Sequence, residues 1–219
     1  MISTSLVKKS VLFSLFVQIT TGIIQMYGLF LKLDKKDSIL KSILALETVV
    51  QFIEAIFYTW LAYGLYNLKN VTSRRYYDWV LTTPAMLLAT IMYFTYLEKR
   101  EFTFFEFKKN NDLNILKIFG YNWIMLLLGY LGETKTIALT TGIPIGFVFF
   151  GLSFNEIYKY VTTPEASKLF YFLLFVWSLY GVAAVLSTNA KNLMYNLLDI
   201  VSKNFYGLFI FYKIMEVAK

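Results

Sequence analysis

Seven apolar segments, each of about membrane-spanning length, divide this 219-residue chain, and no other feature limits its fold as strongly. They run over Ser10–Leu31, Ser38–Leu65, Tyr77–Tyr96, Leu113–Leu131, Thr136–Tyr158, Ser167–Leu186 and Leu193–Tyr212. A helix crossing the hydrocarbon of a bilayer needs about 20 residues. Seven such helices with short loops use up residues 1–219, which predicts one all-α transmembrane bundle and no second domain. Composition agrees: 58% of residues are hydrophobic and only 16% are charged, against about a quarter in soluble domains. Gly142, Pro144 and Gly146 interrupt the fifth segment, a pattern membrane helices tolerate when neighbours satisfy the backbone. The first segment lacks a small-residue cleavage site and reads as a retained helix.

An odd number of spans puts the two ends of the bundle on opposite sides. Loops one, three and five carry Lys32, Lys35, Lys36 and Lys41, then Lys99, Arg100, Lys108 and Lys109, then Lys159 and Lys168. The other side carries Lys8, Lys9, Lys69, Arg74, Lys135 and Lys191. The basic excess on the odd loops predicts an extracellular N-terminus and a cytoplasmic C-terminus. The net charge of +7 then reflects topology and attraction to anionic membrane lipid. The basic residues are scattered over loops, which argues against nucleic-acid binding. Cysteine and histidine are both absent, so thiolate chemistry and the commonest metal ligand are excluded.

Lys203 lies inside the seventh segment, with Asp199 one turn earlier on the same helix face. Ionisable groups at membrane depth are costly and mark function. One reading is a buried structural ion pair. The sharper one is a lysine that binds an aldehyde cofactor as a protonated imine, with Asp199 as counter-ion. In the third segment, Arg75, Asp78 and Thr82 share a face and form a polar track, so a second carboxylate can face the same cation. Arg75 would offset the excess negative charge.

These motifs resemble the microbial (type-1) rhodopsins. The matching stretches are Arg75-Tyr76-Tyr77-Asp78-Trp79-Val80-Leu81-Thr82-Thr83-Pro84 and Leu198-Asp199-Ile200-Val201-Ser202-Lys203. Trp177-Ser178-Leu179-Tyr180 and Asn122-Trp123-Ile124-Met125 resemble the pocket-lining stretches of the sixth and fourth helices. The resemblance implies a photoreceptor rather than an enzyme, with all-trans retinal on Lys203. It implies Asp78 as primary counter-ion and proton acceptor and Asp199 as second counter-ion. It places Trp79, Thr82, Thr83, Met125, Trp177 and Tyr180 around the chromophore. Many relatives form homo-oligomers, and the resemblance implies one here. The chain also departs from the family pattern. Ala89 stands where proton pumps carry a carboxylic donor, while Gly181 and Ala184 suggest extra room beside the retinal ring.

Polar stripes cross three segments. Ser14, Gln18, Thr21 and Gln25 line the first, Glu47, Gln51, Glu54 and Tyr58 the second, and Asn192, Asn196, Asp199 and Lys203 the seventh. Amides and hydroxyls can simply join helices, at ~0.6 kcal/mol per contact. Two carboxyls in one span ask for more, and oxygen-lined paths replace part of a cation's hydration shell. With Ser14, Asn196 and Asn204, the Glu47–Glu54 pair resembles the viral branch regarded as light-gated cation channels. The expectation is therefore a light-gated channel for monovalent cations, with those five residues on the ion path. In it, Glu54 bonds Asn196 or Asn204 in the dark. A light-driven outward proton pump accepting on Asp78, or a photosensor with a separate transducer, are the alternatives.

Overall fold

The structure, a computed structural model, describes residues 2–64 and 71–219. The expected end of the second span at Leu65 and the loop residue Lys69 lie outside the described residues. The first six helical rods are α1 (Thr4–Phe30), α2 (Ile39–Tyr63), α3 (Val71–Glu98), α4 (Phe104–Glu133), α5 (Leu139–Tyr158) and α6 (Pro164–Ala184). The seventh is continuous but has three parts: α7 (Thr188–Asp199), a π-helical turn (Ile200–Asn204) and α8 (Phe205–Val217). No strand occurs among the described residues. Thr4–Phe30, Val71–Glu98, Phe104–Glu133 and Pro164–Ala184 are long and apolar enough to cross a membrane by length and composition alone.

Successive helices pack as antiparallel neighbours, and α1 closes the ring against α7, the π turn and α8. Several helices overrun the predicted apolar segments because their polar ends are capped rather than stopped. α4 begins at Phe104 instead of Leu113, where Thr103 and Glu106 form a reciprocal capping box. α5 passes through Gly142, Pro144 and Gly146 without a break.

The amphipathicity is inverted relative to a soluble bundle. α1 buries Ser10, Ser14, Gln18, Thr21 and Gln25, while Phe13, Phe16, Ile23 and Phe30 point outward. A bilayer rewards this arrangement, because apolar side chains gain nothing by leaving lipid whereas polar ones lose heavily by entering it. The largest apolar cluster, with Leu40, Ile43, Leu44, Ile91, Met92, Phe94, Ile210 and Ile214, fills the half of the bundle next to the α1–α2 loop. A second, around Trp79, Leu126, Val176, Tyr195 and Leu198, lies towards the other end. The ionisable interior lies between and beside them.

Pro84 sits inside α3 and has no N–H to give the carbonyl of Val80, four residues earlier. The indole Nε1–H of Trp123 on α4 donates to that carbonyl instead, at 3.1 Å. We expect Trp123→Phe to cost ~1 kcal/mol of stability. In a Pro84→Ala background the helix supplies its own donor, so the same change should cost clearly less. Reversible unfolding in mixed micelles measures both, and equal losses in the two backgrounds would show that the indole acts by packing alone.

Candidate functional site

The seventh rod carries the site, and its π turn sets the geometry. The N–H of Phe205 donates to the carbonyl of Ile200, five residues back. This wider turn lets Asp199, Lys203 and Asn204 all reach the bundle interior, where each is at most 2% exposed. An α-helix would set Asn204, five residues on, about 140° round the axis from Asp199, whereas a π turn brings residues five apart back towards one face. The apolar spacing of the seventh segment does not announce this turn. Its one trace was a lysine and an asparagine side by side in an apolar helix.

Lys203 Nζ lies 3.0 Å from Asp78 Oδ2 and 3.5 Å from Asp199 Oδ1, and it also bonds Glu54 Oε1. Asp199 is the most heavily bonded carboxylate. It accepts from Tyr58 Oη at 2.7 Å, from Tyr180 Oη at 2.8 Å and from Arg75 Nη1 at 3.2 Å. Arg75 is fully buried and also donates to Asn196 Oδ1, with Asn192 Oδ1 at 3.5 Å. The rings of Tyr58 and Tyr195 stand 5.8 and 5.5 Å from its guanidinium carbon. Such an array meets the requirement that a buried charge be paired and hydrogen-bonded.

The expected counter-ions Asp78 and Asp199 are thus both brought to Lys203. Arg75 pairs with Asp199, not with Asp78 on its own helix. Glu54 differs from expectation. It touches Lys203 itself and bonds neither Asn196 nor Asn204 directly. It reaches Asn204 through Gln18, whose Nε2 donates to Glu54 at 3.2 Å and whose Oε1 accepts from Asn204 at 2.9 Å. Asn204 also donates to Gln51 at 2.8 Å. Asn196 lies on the Arg75 side of the site, where Ser14 donates to its carbonyl at 3.1 Å and its amide donates to Ser10 at 2.8 Å. Glu47 lies seven residues before Glu54 on α2, about 10 Å further along, fully buried and with both carboxylate oxygens unpartnered.

On the other side of Lys203 is an apolar cavity. Trp79, Thr83 and Met125 line one part, Trp177 and Tyr180 another, and Lys203 and Ser202 close one end. Thr82 was expected there but is not part of the wall. Its hydroxyl turns back to the Asp78 carbonyl at 3.0 Å, which satisfies it within α3. Thr83 does line the cavity, held by Asn122 Nδ2 at 2.7 Å. Gly181 does not widen it. The ring of Phe147 lies where a Gly181 Cβ would be, with carbons 2.5 Å from that position. Tyr58, Gln18, Asn122 and Ser202 complete the site without having been singled out for these contacts.

An amine at one end of a cavity lined largely by aromatic side chains suits a long apolar aldehyde. Gly146 leaves slack in the far wall, since a Cβ there would meet nothing nearer than the Met125 carbonyl at 3.8 Å. The residues present fit retinal.

The sequence profile of the bacteriorhodopsin-like proteins matches residues 9–217. The chain belongs to this family. Its structure superposes on the crystal structure of the viral rhodopsin OLPVRII with a TM-score of 0.86 and 29% identity, covering 97% of this chain and 99% of that one. The proton-pumping rhodopsin AR2 from the marine alga Acetabularia acetabulum gives 0.75 at 20% identity, over 98% and 96% of the two chains. Halorhodopsin, a light-driven chloride pump, gives 0.70 at 15% identity, over 95% of each. A comparison with curated proteins finds no significant match. Proteins of this family bind retinal as their chromophore and sit in membranes as helical bundles.

A negative charge near the Lys203 nitrogen stabilises the ground state more than the excited state, in which positive charge moves towards the ring. Asp78→Asn should therefore shift the absorption maximum of the retinal-loaded protein to the red, and acidifying the wild type should do the same. An unchanged spectrum in Asp78→Asn would mean that Asp199 alone is the counter-ion.

Proposed function

We propose that this rhodopsin is a light-gated channel for monovalent cations, with all-trans retinal on Lys203. The observation that carries the reading is a continuous buried polar column. It runs from Ser10, Ser14 and Asn196 through Arg75 and the Lys203 cluster to Gln18, Asn204 and Gln51, and on towards Glu47. Its side chains come from α1, α2, α3 and the seventh rod. Oxygen-rich columns of this kind can replace a cation's hydration shell. In the proposed orientation the N-terminus is extracellular, so Arg75 faces the outer half and Glu47 the inner half.

Retinal supplies light absorption and a change of shape; the rest falls to the chain's own residues. Asp78 and Asp199 hold the proton on the Lys203 nitrogen, and Arg75 fixes Asp199. The charge count then assigns Glu54. Two cations, Lys203 and Arg75, face three carboxyls, and Asp78 and Asp199 already balance them. A further bare charge at mid-membrane costs about 3 kcal/mol, so Glu54 holds a proton. The amides of Gln18, Asn204 and Gln51 accommodate this, because turning all three reverses the direction of their hydrogen bonds. Movement of the π turn in the light pulls Asn204 from Gln18 and Gln51 and admits water beside Glu54.

An outward proton pump accepting on Asp78 is the second reading, and one observation favours it. Glu47 is buried, unpartnered and inward of Lys203, a suitable place for a proton donor in a chain with Ala89 on α3. Glu54 is already engaged with Lys203 and suits that role less.

Photocurrents recorded against voltage separate the two. We expect wild-type currents to reverse near the cation equilibrium potential, and both Glu47→Ala and Glu54→Ala to reduce them. Glu54→Gln should also abolish a carboxylic-acid C=O band in the dark infrared spectrum. Currents that never reverse, with slowed reprotonation in Glu47→Ala, would establish the pump instead.

A further inference from the structure

One surface groove shares a wall with the cavity at Lys203. On the outer side of α3 and α4 runs a groove edged by Tyr77, Trp123, Leu127 and Tyr130. Tyr77, Trp123 and Leu127 are 63%, 43% and 55% exposed, so the groove faces lipid. Its floor includes Tyr76 and Leu126, and the same two side chains line the cavity that ends at Lys203. A single layer of side chain therefore separates the bilayer from the pocket at this point.

Tyr76 is the aromatic member of that layer. Its ring packs over Gly129, where an added Cβ would stand 2.7 Å from the tyrosine hydroxyl. It meets Trp79 and Tyr130 edge-on, with centroids 5.0 and 5.8 Å apart, and so is held by ring contacts worth about 1 kcal/mol each. A ring held in this way can swing on side-chain rather than domain timescales. The backbone beside it stays fixed, because Trp123 ties α4 to the Val80 carbonyl. On the other side of the pocket the Phe147 ring is seated on Gly181 and is itself 37% exposed.

We propose that this groove is the entrance by which retinal passes from the bilayer to Lys203, with Tyr76 as its door. The inference rests on the retinal reading above. Retinal is an apolar polyene that partitions into lipid. A sideways entry keeps it in apolar surroundings until its aldehyde meets the amine, whereas entry along the bundle axis would cross the charged column. The aromatic edges of the groove offer ring faces to the polyene, and Gly129 leaves room for Tyr76 to settle back behind it.

Retinal-free protein in lipid vesicles, mixed with all-trans retinal, tests this through the rate at which the visible band appears. Leu127→Trp fills the groove from its lipid-facing edge and should slow colour formation several-fold, with the final absorption maximum unchanged. The unchanged maximum doubles as evidence that the variant is folded. Tyr76→Ala should speed colour formation, and Phe147→Ala, on the far side, should leave the rate as it was. A wild-type rate in Leu127→Trp, or acceleration by Phe147→Ala alone, overturns the proposal. A wild type that never colours overturns the retinal reading beneath it, which is a different result from an unaltered rate.

Discussion

The burial of Lys203 among three carboxyl groups organises this molecule. A lone ammonium at that depth would cost about 3 kcal/mol or more, and each carboxylate beside it carries a comparable penalty. Only a nearly complete set of partners makes the cluster tolerable. Asp78 and Asp199 supply the charge complement, and Glu54 adds a third oxygen contact. Arg75, Tyr58 and Tyr180 complete the bonds of Asp199. Removing one partner from such a set is far more damaging than the set is stabilising, so these residues are held together as a unit. The π turn follows from the same constraint, since it is what brings Asn204 to the interior beside Lys203.

The arrangement also explains how the bundle is divided. Polar side chains are drawn to the wall made by α1, α2, α3 and the seventh rod. Aromatic and small residues of α3, α4, α5 and α6 are left to shape the cavity on the other side of Lys203. The lysine stands at the boundary between the two. A change of shape in the apolar cavity is therefore passed directly to the polar column, through one side chain and the turn that carries it. This proximity suits an ion transporter driven by light, whichever way its ions move.

Much of this was legible in the sequence because it depends on spacing along one helix. Lys203 and Asp199 share a face at four residues, and so do Glu54 and Tyr58, and each pair does face inward. The seven apolar segments were legible from hydropathy, and the pocket residues Trp79, Thr83, Met125, Trp177 and Tyr180 from the resemblance of their motifs to the family. What escaped depends on rotation between helices. Nothing in the spacing of α2 says that Glu54 reaches Lys203 instead of Asn204, or that Arg75 crosses to Asp199. Thr82 misled because a hydroxyl on a helix can bond its own backbone. Gly181 misled because the volume a missing side chain leaves can be filled from another helix, here by Phe147.

If this charge cluster prepares Lys203, and no other lysine, to hold the chromophore, the attachment point decides the matter. Reducing the retinal-loaded protein with borohydride fixes any bound retinal to its lysine, and mass spectrometry of the peptides then locates it. We expect a single retinyl-bearing peptide containing Lys203, and a colourless protein with no adduct for Lys203→Ala. An adduct on another lysine, or a visible band that survives in Lys203→Ala, would contradict it.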